Sequence, residues 1–277
     1  MNYFEFSFKI DPFYPWSEIL TVYLLELDFE GFYEDNGQLK ACIQENSFNP
    51  DSFKELMTLL DSKGVNISYE KLKIPHQNWN ESWESNFKPV EIDEDMIIVA
   101  PFHDISRDYP IRLVIQPKMS FGTGHHQTTH LMCKSILKLN LTGKKVLDMG
   151  SGTGVLAILS EKMGSKDITA VDIEEWSAEN CIENASENKC IHINSICGDV
   201  DVIIGRKFDY IFANINKNIL MQQMTQYFKS LSENGFLYLS GFFDSDREEL
   251  ISRAEKCGMR FISSELMEGW ALLILKK

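Results

Sequence analysis

The sequence contains no apolar run long enough to cross a membrane. None of its stretches approaches the ~20 consecutive apolar residues that a membrane-spanning helix requires. The first residues, MNYFEFSFKIDPF, have neither the basic start nor the continuous apolar segment of a signal peptide. We therefore expect a soluble, cytoplasmic protein that does not bind membranes. Its 277 residues correspond to about two domains.

Cysteine pairs at metal-ligand spacing are also missing. The six cysteines are scattered, without a CxxC pair and without a neighbouring histidine at ligand spacing. Neither a zinc site nor a disulfide framework has this pattern. We predict reduced structural thiols and no bound metal.

Basic residues are scarce in the first third of the chain. Residues 1–95 contain 19 Asp or Glu, 7 Lys and no Arg, which gives a charge of −12, whereas the remaining 182 residues carry only −2. Such a field repels nucleic acid and attracts basic partners, although salt screens it within ~8 Å. The alternative is an acidic surface that serves only solubility.

The order of apolar segments divides the chain into three parts. Residues 1–74 alternate as βαββαβ, with an Asn36-Gly37 hairpin signal, which predicts a small α+β domain of the ferredoxin-like type. Residues 75–118 are expected to form a linker with a short helix and two or three strands. In this linker Trp79 and Trp83 would share one helical face, where they either pack the linker or contact a substrate.

Residues 119–277 are predicted to form the second domain. From Lys144 onward, strands and helices alternate, as in KVLDMG, GVLAILSEKMG and DITAVD. This alternation is typical of an α/β fold with a doubly wound, mostly parallel sheet, which binds ligands at the C-terminal ends of its strands.

The segment VLDMGSGTGVLAI (146–158) places a glycine-rich loop at the first strand-to-helix turn of this sheet. A dinucleotide loop of the form GxGxxG would need a small residue at Val155. The spacing Gly150, Gly152, Gly154 instead favours a loop that receives the amino-acid part of S-adenosylmethionine. We expect Gly152 to lie against the ligand with no room for a side chain. A purely structural turn could use the same glycines.

Three polar residues follow the next strands. Asp172 ends a strand 22 residues after Gly150, where its carboxylate can bind a ribose diol, although a nicotinamide dinucleotide would use the same residue and a helix N-cap is an alternative role. Asp199 is placed to bind an adenine amino group, or is an ordinary loop residue. Asn214, in ANIN, can orient an amine, or is a turn residue.

The motif FGTGHHQTT (121–129) precedes the helix that leads into the first strand of this sheet. It can therefore lie over the ligand-binding cleft at the C-terminal ends of the strands. His125 and His126 within it suggest a base or a metal pair. Adjacent residues point in different directions and no third ligand is evident, so hydrogen bonding within the loop is the favoured role.

Four motifs, taken in their order along the chain, resemble the ribosomal protein L11 methyltransferase family. They are FGTGHHQTT, VLDMGSGTGVLAI, AVDIEEWSAENCIENA and FANINKNIL. The likeness covers nearly the whole chain and is strongest over residues 75–241. It implies a class I, Rossmann-like methyltransferase domain that uses S-adenosyl-L-methionine. Thr129, Gly150, Asp172 and Asn214 match the family's cofactor-contact positions. The family's loop over the methionine end of the cofactor matches Phe121, Gly122, Thr123 and Gly124.

The resemblance also implies a function. The expected protein is a monomeric N-methyltransferase that modifies lysine ε-amino or N-terminal α-amino groups of ribosomal protein L11, with residues 1–74 as the recognition domain. No catalytic base is assigned, and Asn214 is expected to position the amine. The departures Ser151, Thr153 and Gln127 affect packing more than chemistry. The alternatives are another amine or nucleic-acid substrate, and a module that binds S-adenosylmethionine without turnover.

Overall fold

The computed structural model describes residues 2–74 and 87–277, and the chain divides into two compact units, Met1–Asn86 and Phe87–Lys277. Trp79 and Trp83, with the short helix expected around them, lie outside the described residues. Within the described ranges, no helix has both the length and the apolar composition needed to span a membrane. All six cysteines are free thiols.

The first unit has the βαββαβ order that its sequence predicts. Its elements are β1 (Tyr3–Asp11), α1 (Phe13–Leu25), β2 (Glu30–Asp35), β3 (Gln38–Gln44), α2 (Pro50–Ser62) and β4 (Asn66–Ile74). The strands form an antiparallel sheet in the order β2-β3-β1-β4, which is the ferredoxin-like arrangement. Helix α1 begins at Phe13, with Tyr14 in an extended conformation inside it.

One face of this sheet is covered by the two helices. Phe6 and Phe8 of β1 are buried with Leu20 of α1 and Phe53 of α2. Glu5 precedes Phe6 and, by the alternation of the strand, faces the other side. Asn49 caps α2 by accepting hydrogen bonds from the backbone N–H groups of Asp51 and Ser52. The first unit therefore has its own core and a sheet face that its own helices leave uncovered.

The second unit begins earlier than the sequence suggested. Residues 87–118, expected to be a linker with strands, contain β5 (Val90–Ile92), β6 (Met96–Val99) and β7 (Ile111–Val114), which form a small sheet. Ile92, Met96 and Leu113 are fully buried in the same core as the residues that follow them. Because these side chains need that core for burial, this segment is an integral layer of the second unit.

A seven-stranded sheet forms the centre of the second unit. Its strands are β8 (Lys145–Met149), β9 (Asp167–Asp172), β10 (Ile193–Cys197), β11 (Phe208–Asn214), β12 (Leu231–Phe243), β13 (Arg260–Met267) and β14 (Trp270–Lys276). Their order is β10-β9-β8-β11-β12-β14-β13, and β14 alone runs opposite to the other six strands. The predicted doubly wound, mostly parallel sheet is confirmed.

Helices cover both faces of this sheet. They are α3 (Gln127–Ile136), α4 (Val155–Lys162), α5 (Glu175–Glu187), α6 (Lys217–Ser230) and α7 (Arg247–Lys256). Residues of α3, α4 and α5 share one core with the sheet, and residues of α6 and α7 share the other. Because the chain leaves β8 toward β9 on one side and later returns to β11 on the other, a cleft opens at the C-terminal ends of β8 and β11.

Candidate functional site

The glycine-rich loop joins β8 to α4 at the edge of this cleft. The backbone N–H groups of Gly150 and Ser151 donate to the Val171 carbonyl at 2.8 and 3.0 Å, which holds the loop against the end of β9. Gly152 has φ +52°, and a Cβ atom there would collide with the backbone carbonyl oxygen of Phe121. A side chain therefore has no room at Gly152, because the Phe121 carbonyl lies at the Cβ position. Gly152 also lines the cleft, and its contact with a ligand stays a prediction.

Thr153, in the glycine-rich loop, forms two hydrogen bonds with the FGTG segment. Its backbone N–H donates to the Phe121 carbonyl at 2.9 Å, and its buried hydroxyl donates to the Gly122 carbonyl at 2.7 Å. The two loops named by the sequence thus form one structure. Of the FGTG residues, Phe121 lines the cleft, whereas Gly122, Thr123 and Gly124 do not belong to its wall.

The larger of two adjoining cavities, about 430 Å³, occupies this cleft. Its wall brings together five of the residues expected from the sequence: Gly150, Gly152, Asp172, Asp199 and Asn214. Its described wall includes three carboxylates, those of Asp172, Asp199 and Glu174, and neither Lys nor Arg. Such a wall attracts a cationic ligand and repels a pyrophosphate. The cavity therefore fits a sulfonium cofactor better than a dinucleotide.

Asp172 connects the glycine-rich loop to the end of β9. Its Oδ2 accepts from the backbone N–H of Gly152 at 2.8 Å, and its Oδ1 accepts from the backbone N–H of Glu174 at 3.1 Å. The residue at the N-cap of α5 is Glu174, so Asp172 does not occupy the capping position that was its alternative role. Each carboxylate oxygen retains capacity for a further hydrogen bond from a ribose hydroxyl.

Asp199 lies beyond β10 and starts a short 3₁₀ helix, Val200–Ile203. Its Oδ1 accepts from the Val200 backbone N–H at 2.6 Å and from Nε2 of Gln223 at 2.8 Å. Gln223, on α6, also lines the larger cavity. The sequence did not indicate this glutamine as a site residue.

The smaller cavity, of 240 Å³, shares Phe121, Asn214, Ile215 and Asn216 with the larger one. Asn214 donates through Nδ2 to the Thr129 hydroxyl at 3.4 Å, and its buried Oδ1 has no hydrogen-bond partner among the described residues. Thr129 is fully buried and is not part of either cavity wall, so it acts on the cleft through Asn214. A buried amide oxygen without a partner at the junction of two cavities is suited to accept a hydrogen bond from a ligand.

Two aromatic residues of the smaller cavity were not identified as a pair from the sequence. The His126 ring lies 4.5 Å from the Trp270 ring and 5.2 Å from that of Phe121, measured between centroids. His126 Nδ1 accepts from the backbone N–H of Thr128 and caps α3, and partial burial lowers the pKa of His126. Trp270 lies 144 positions further along the chain, and no local sequence signal connects the two.

The neighbouring histidine has a structural role. His125 Nε2 bonds the Lys88 carbonyl oxygen at 2.9 Å, and its Nδ1 bonds the Thr123 hydroxyl at 3.2 Å. Hydrogen bonding within the loop is thus what both histidines do. Across residues 2–74 and 87–277, no group of three His, Cys, Asp or Glu side chains could hold a metal ion.

Asp148, near the end of β8, is a buried carboxylate next to the glycine-rich loop. It is fully buried, its Oδ2 accepts from the Ala157 backbone N–H at 3.0 Å, and its Oδ1 has no partner in the described structure. Burial, with a smaller contribution from the charge of Asp172, raises the pKa of Asp148 to about 7. Asp148 therefore fixes the start of α4 but is absent from the cavity wall.

The strand order and the acid-lined cleft at the end of β8 define a class I methyltransferase, and S-adenosylmethionine is the cofactor of this class. The model of the ribosomal protein L11 methyltransferase (PrmA) family matches residues 22–277. The chain belongs to this family.

Individual members of this family are similar to the chain over most of its length. A ribosomal protein L11 methyltransferase of Bacteroides fragilis is 38% identical over 274 residues, which is 98% of each chain. One of Porphyromonas gingivalis is 39% identical over 92% of this chain and 89% of its own. The crystal structure of a ribosomal protein L11 methylase from Lactobacillus delbrueckii subsp. bulgaricus aligns with a TM-score of 0.63 at 27% identity, covering 68% of this chain and 98% of that one.

Proposed function

We propose that this chain transfers methyl groups from S-adenosylmethionine to lysine ε-amino or N-terminal α-amino groups of ribosomal protein L11, in the cytoplasm. The observation that carries the proposal is the junction of the two cavities at Asn214. The larger cavity takes the cofactor, which supplies an electrophilic methyl group, and the smaller cavity admits the amine. Asn214 Oδ1, which has no partner among the described residues, accepts a hydrogen bond from that amine and orients its lone pair.

The amine must be neutral to attack. For a lysine of pKa ~10.4, deprotonation at pH 7 costs roughly 4.6 kcal/mol, whereas an N-terminal amine of pKa ~7.7 to 8.0 costs only about 1 kcal/mol. The described wall of the smaller cavity contains no carboxylate that would hold the amine in its ammonium form. The smaller cavity therefore does not hinder a lysine from losing its proton to solvent.

His126 is not needed as a base. Its Nδ1 already accepts a hydrogen bond from the Thr128 backbone, so the neutral ring carries its proton on Nε2. Because burial lowers the pKa of His126, the ring is neutral at pH 7 and does not repel an incoming ammonium group. Its role in the smaller cavity is to shape the wall.

We assign substrate docking to the first unit. The sheet face opposite its helices carries carboxylates, two exposed side chains of apolar character and two lysines: Glu5, Glu30, Glu70, Tyr33, Leu72, Lys9 and Lys40. Lys40 forms an ion pair with Glu5, so among the described residues of this face the carboxylates without an ion pair are those of Glu30 and Glu70. This combination of carboxylates and exposed apolar groups fits a basic protein surface. The acidity of residues 1–95 and this face support recognition of a protein and not of nucleic acid.

Transfer of a labelled methyl group tests the proposal. The full chain is incubated with labelled S-adenosylmethionine and, separately, with ribosomal protein L11, other basic ribosomal proteins and ribosomal RNA. We expect label in L11, and mass spectrometry should place it on amino groups. Asn214→Ala should abolish transfer, whereas the matched control Asn194→Ala, on β10 and outside both cavity walls, should retain it. Label in RNA or in a different protein would refute the substrate assignment.

A further inference from the structure

Two buried side chains of α6, Gln223 and Tyr227, connect by hydrogen bonds to Asp199 in the wall of the larger cavity. Gln223 is 6% exposed and Tyr227 is fully buried, whereas Asp199 itself is exposed. The Tyr227 hydroxyl donates to Oε1 of Gln223, and Nε2 of Gln223 donates to Oδ1 of Asp199 at 2.8 Å. The three side chains form one directed chain of hydrogen bonds from the core to the cavity.

The tyrosine determines which way the glutamine amide faces. Burial raises the pKa of Tyr227, so its phenol stays protonated and donates. The amide oxygen of Gln223 must then face Tyr227, and its NH₂ group must face Asp199. The opposite orientation would place the amide oxygen against the carboxylate and leave the buried hydroxyl without an acceptor.

The consequence is a fixed carboxylate. Gln223 and the Val200 backbone N–H both bind Oδ1, so the rotation of an otherwise exposed side chain is restricted. None of the hydrogen bonds among the described residues reaches Oδ2, which therefore remains available to a ligand in the cavity. An oxygen that only accepts will bind an amino group and repel a carbonyl oxygen.

We propose that Gln223, oriented by Tyr227, is a positioning residue that holds the Asp199 carboxylate for the adenine amino group, so that the cavity selects an adenosyl over an inosyl cofactor. The N6 amino group of adenine is a donor, whereas hypoxanthine carries a carbonyl oxygen at the same position. The inference rests on the placement of adenine at Asp199, which deepens the proposed function.

Calorimetric affinities for S-adenosylhomocysteine and S-inosylhomocysteine test this inference in the full chain. The measured quantity is the ratio of the two affinities. Gln223→Leu should reduce the ratio by about three- to tenfold, because Asp199 keeps its ligand-binding oxygen but loses the side chain that holds it in place. Tyr227→Phe should reduce it by roughly two- to threefold, because Gln223 remains but its orientation is no longer fixed. Gln226→Leu, the same substitution one turn along α6, should leave it unchanged.

The outcomes separate the possible failures. If Gln223→Leu weakens both ligands equally and the ratio stays constant, the glutamine only supports the fold and the inference is overturned. If Asp199→Asn leaves the ratio unchanged, adenine does not bind at Asp199, and the inference fails although methyl transfer to L11 would persist. If Gln223→Leu does not fold, the isosteric Tyr227→Phe decides, and an unchanged ratio there contradicts the proposed orientation.

Discussion

At the scale of single residues, Asp172 carries two tasks that its sequence position could not separate. Its carboxylate holds the backbone of Gly152 and of Glu174, and it lines the larger cavity. Asp172 thus holds the loop from the cavity wall and does not occupy the helix-capping position, while its bond to a ribose stays a prediction. A substitution should affect the loop and the cofactor together.

Asp172→Ala should weaken S-adenosylmethionine binding by about 1.5 to 3 kcal/mol, because hydrogen bonds to a charged group are lost. Calorimetric titration measures the change. Asp167→Ala is the matched control, since Asp167 begins the same strand at its opposite end and lies outside both cavity walls. Equal affinities for the two variants would show that Asp172 does not hold the ribose.

Asp148 should make the stability of the second unit depend on pH. Its folded pKa of about 7 is above the ~3.9 of an unfolded Asp, so the folded state binds the proton more tightly. The stability this provides is complete below the unfolded pKa and is lost as pH rises through the folded pKa. Asp172 and the thiols of Cys133 and Cys181 are the titratable neighbours.

Thermal unfolding of Asp148→Asn and the unsubstituted chain at pH 5 and pH 8 measures this effect. Relative to the variant, the unsubstituted chain should lose stability on the order of 2 kcal/mol between these pH values. The variant itself lacks the titrating group and should show less of this dependence. A stability difference that stays constant over the range would contradict a raised pKa at Asp148.

At the scale of elements, the two loops over the cleft behave as one unit because Thr153 joins them. Gly152→Val should separate the loops, since its side chain would meet the Phe121 carbonyl. We expect loss of cofactor binding with the fold retained. Gly143→Val is the matched control: Gly143 has φ +71° and nothing within 4 Å of its Cβ position, so it adds the same backbone strain without the collision. Similar affinities for both variants would refute the loop contact.

The elements themselves were largely predictable from local signals. The Asn36-Gly37 pair has positive φ at both residues, 50° and 73°, as a two-residue hairpin between alternating strands requires. Strand and helix alternation likewise predicted the large sheet. Contacts between distant segments were not predictable. The Phe121 carbonyl beside Gly152, and Trp270 beside His126, depend on how the sheet assembles, and nothing in their neighbouring residues indicates them.

At the scale of the whole molecule, we assign substrate docking to the first unit and methyl transfer to the second. The cavities and their residues all belong to the second unit, so removal of residues 1–86 should leave S-adenosylmethionine affinity intact. Methylation of L11 should collapse, because the acidic docking face is lost. In the full chain, substrate affinity should fall as salt rises. A truncated protein that methylates L11 as well as the intact one would contradict the docking role.

We propose that the two cavities are the donor and acceptor sides of one methyl transfer and meet at Asn214. A crystal structure of the full chain with S-adenosylhomocysteine tests this proposal most directly. We predict the ligand in the larger cavity, with its ribose at Asp172, its adenine at Asp199 and its sulfur directed toward the smaller cavity beside Asn214. A ligand bound elsewhere, or one whose sulfur is directed away from the smaller cavity, would show that the two cavities do not serve one methyl transfer.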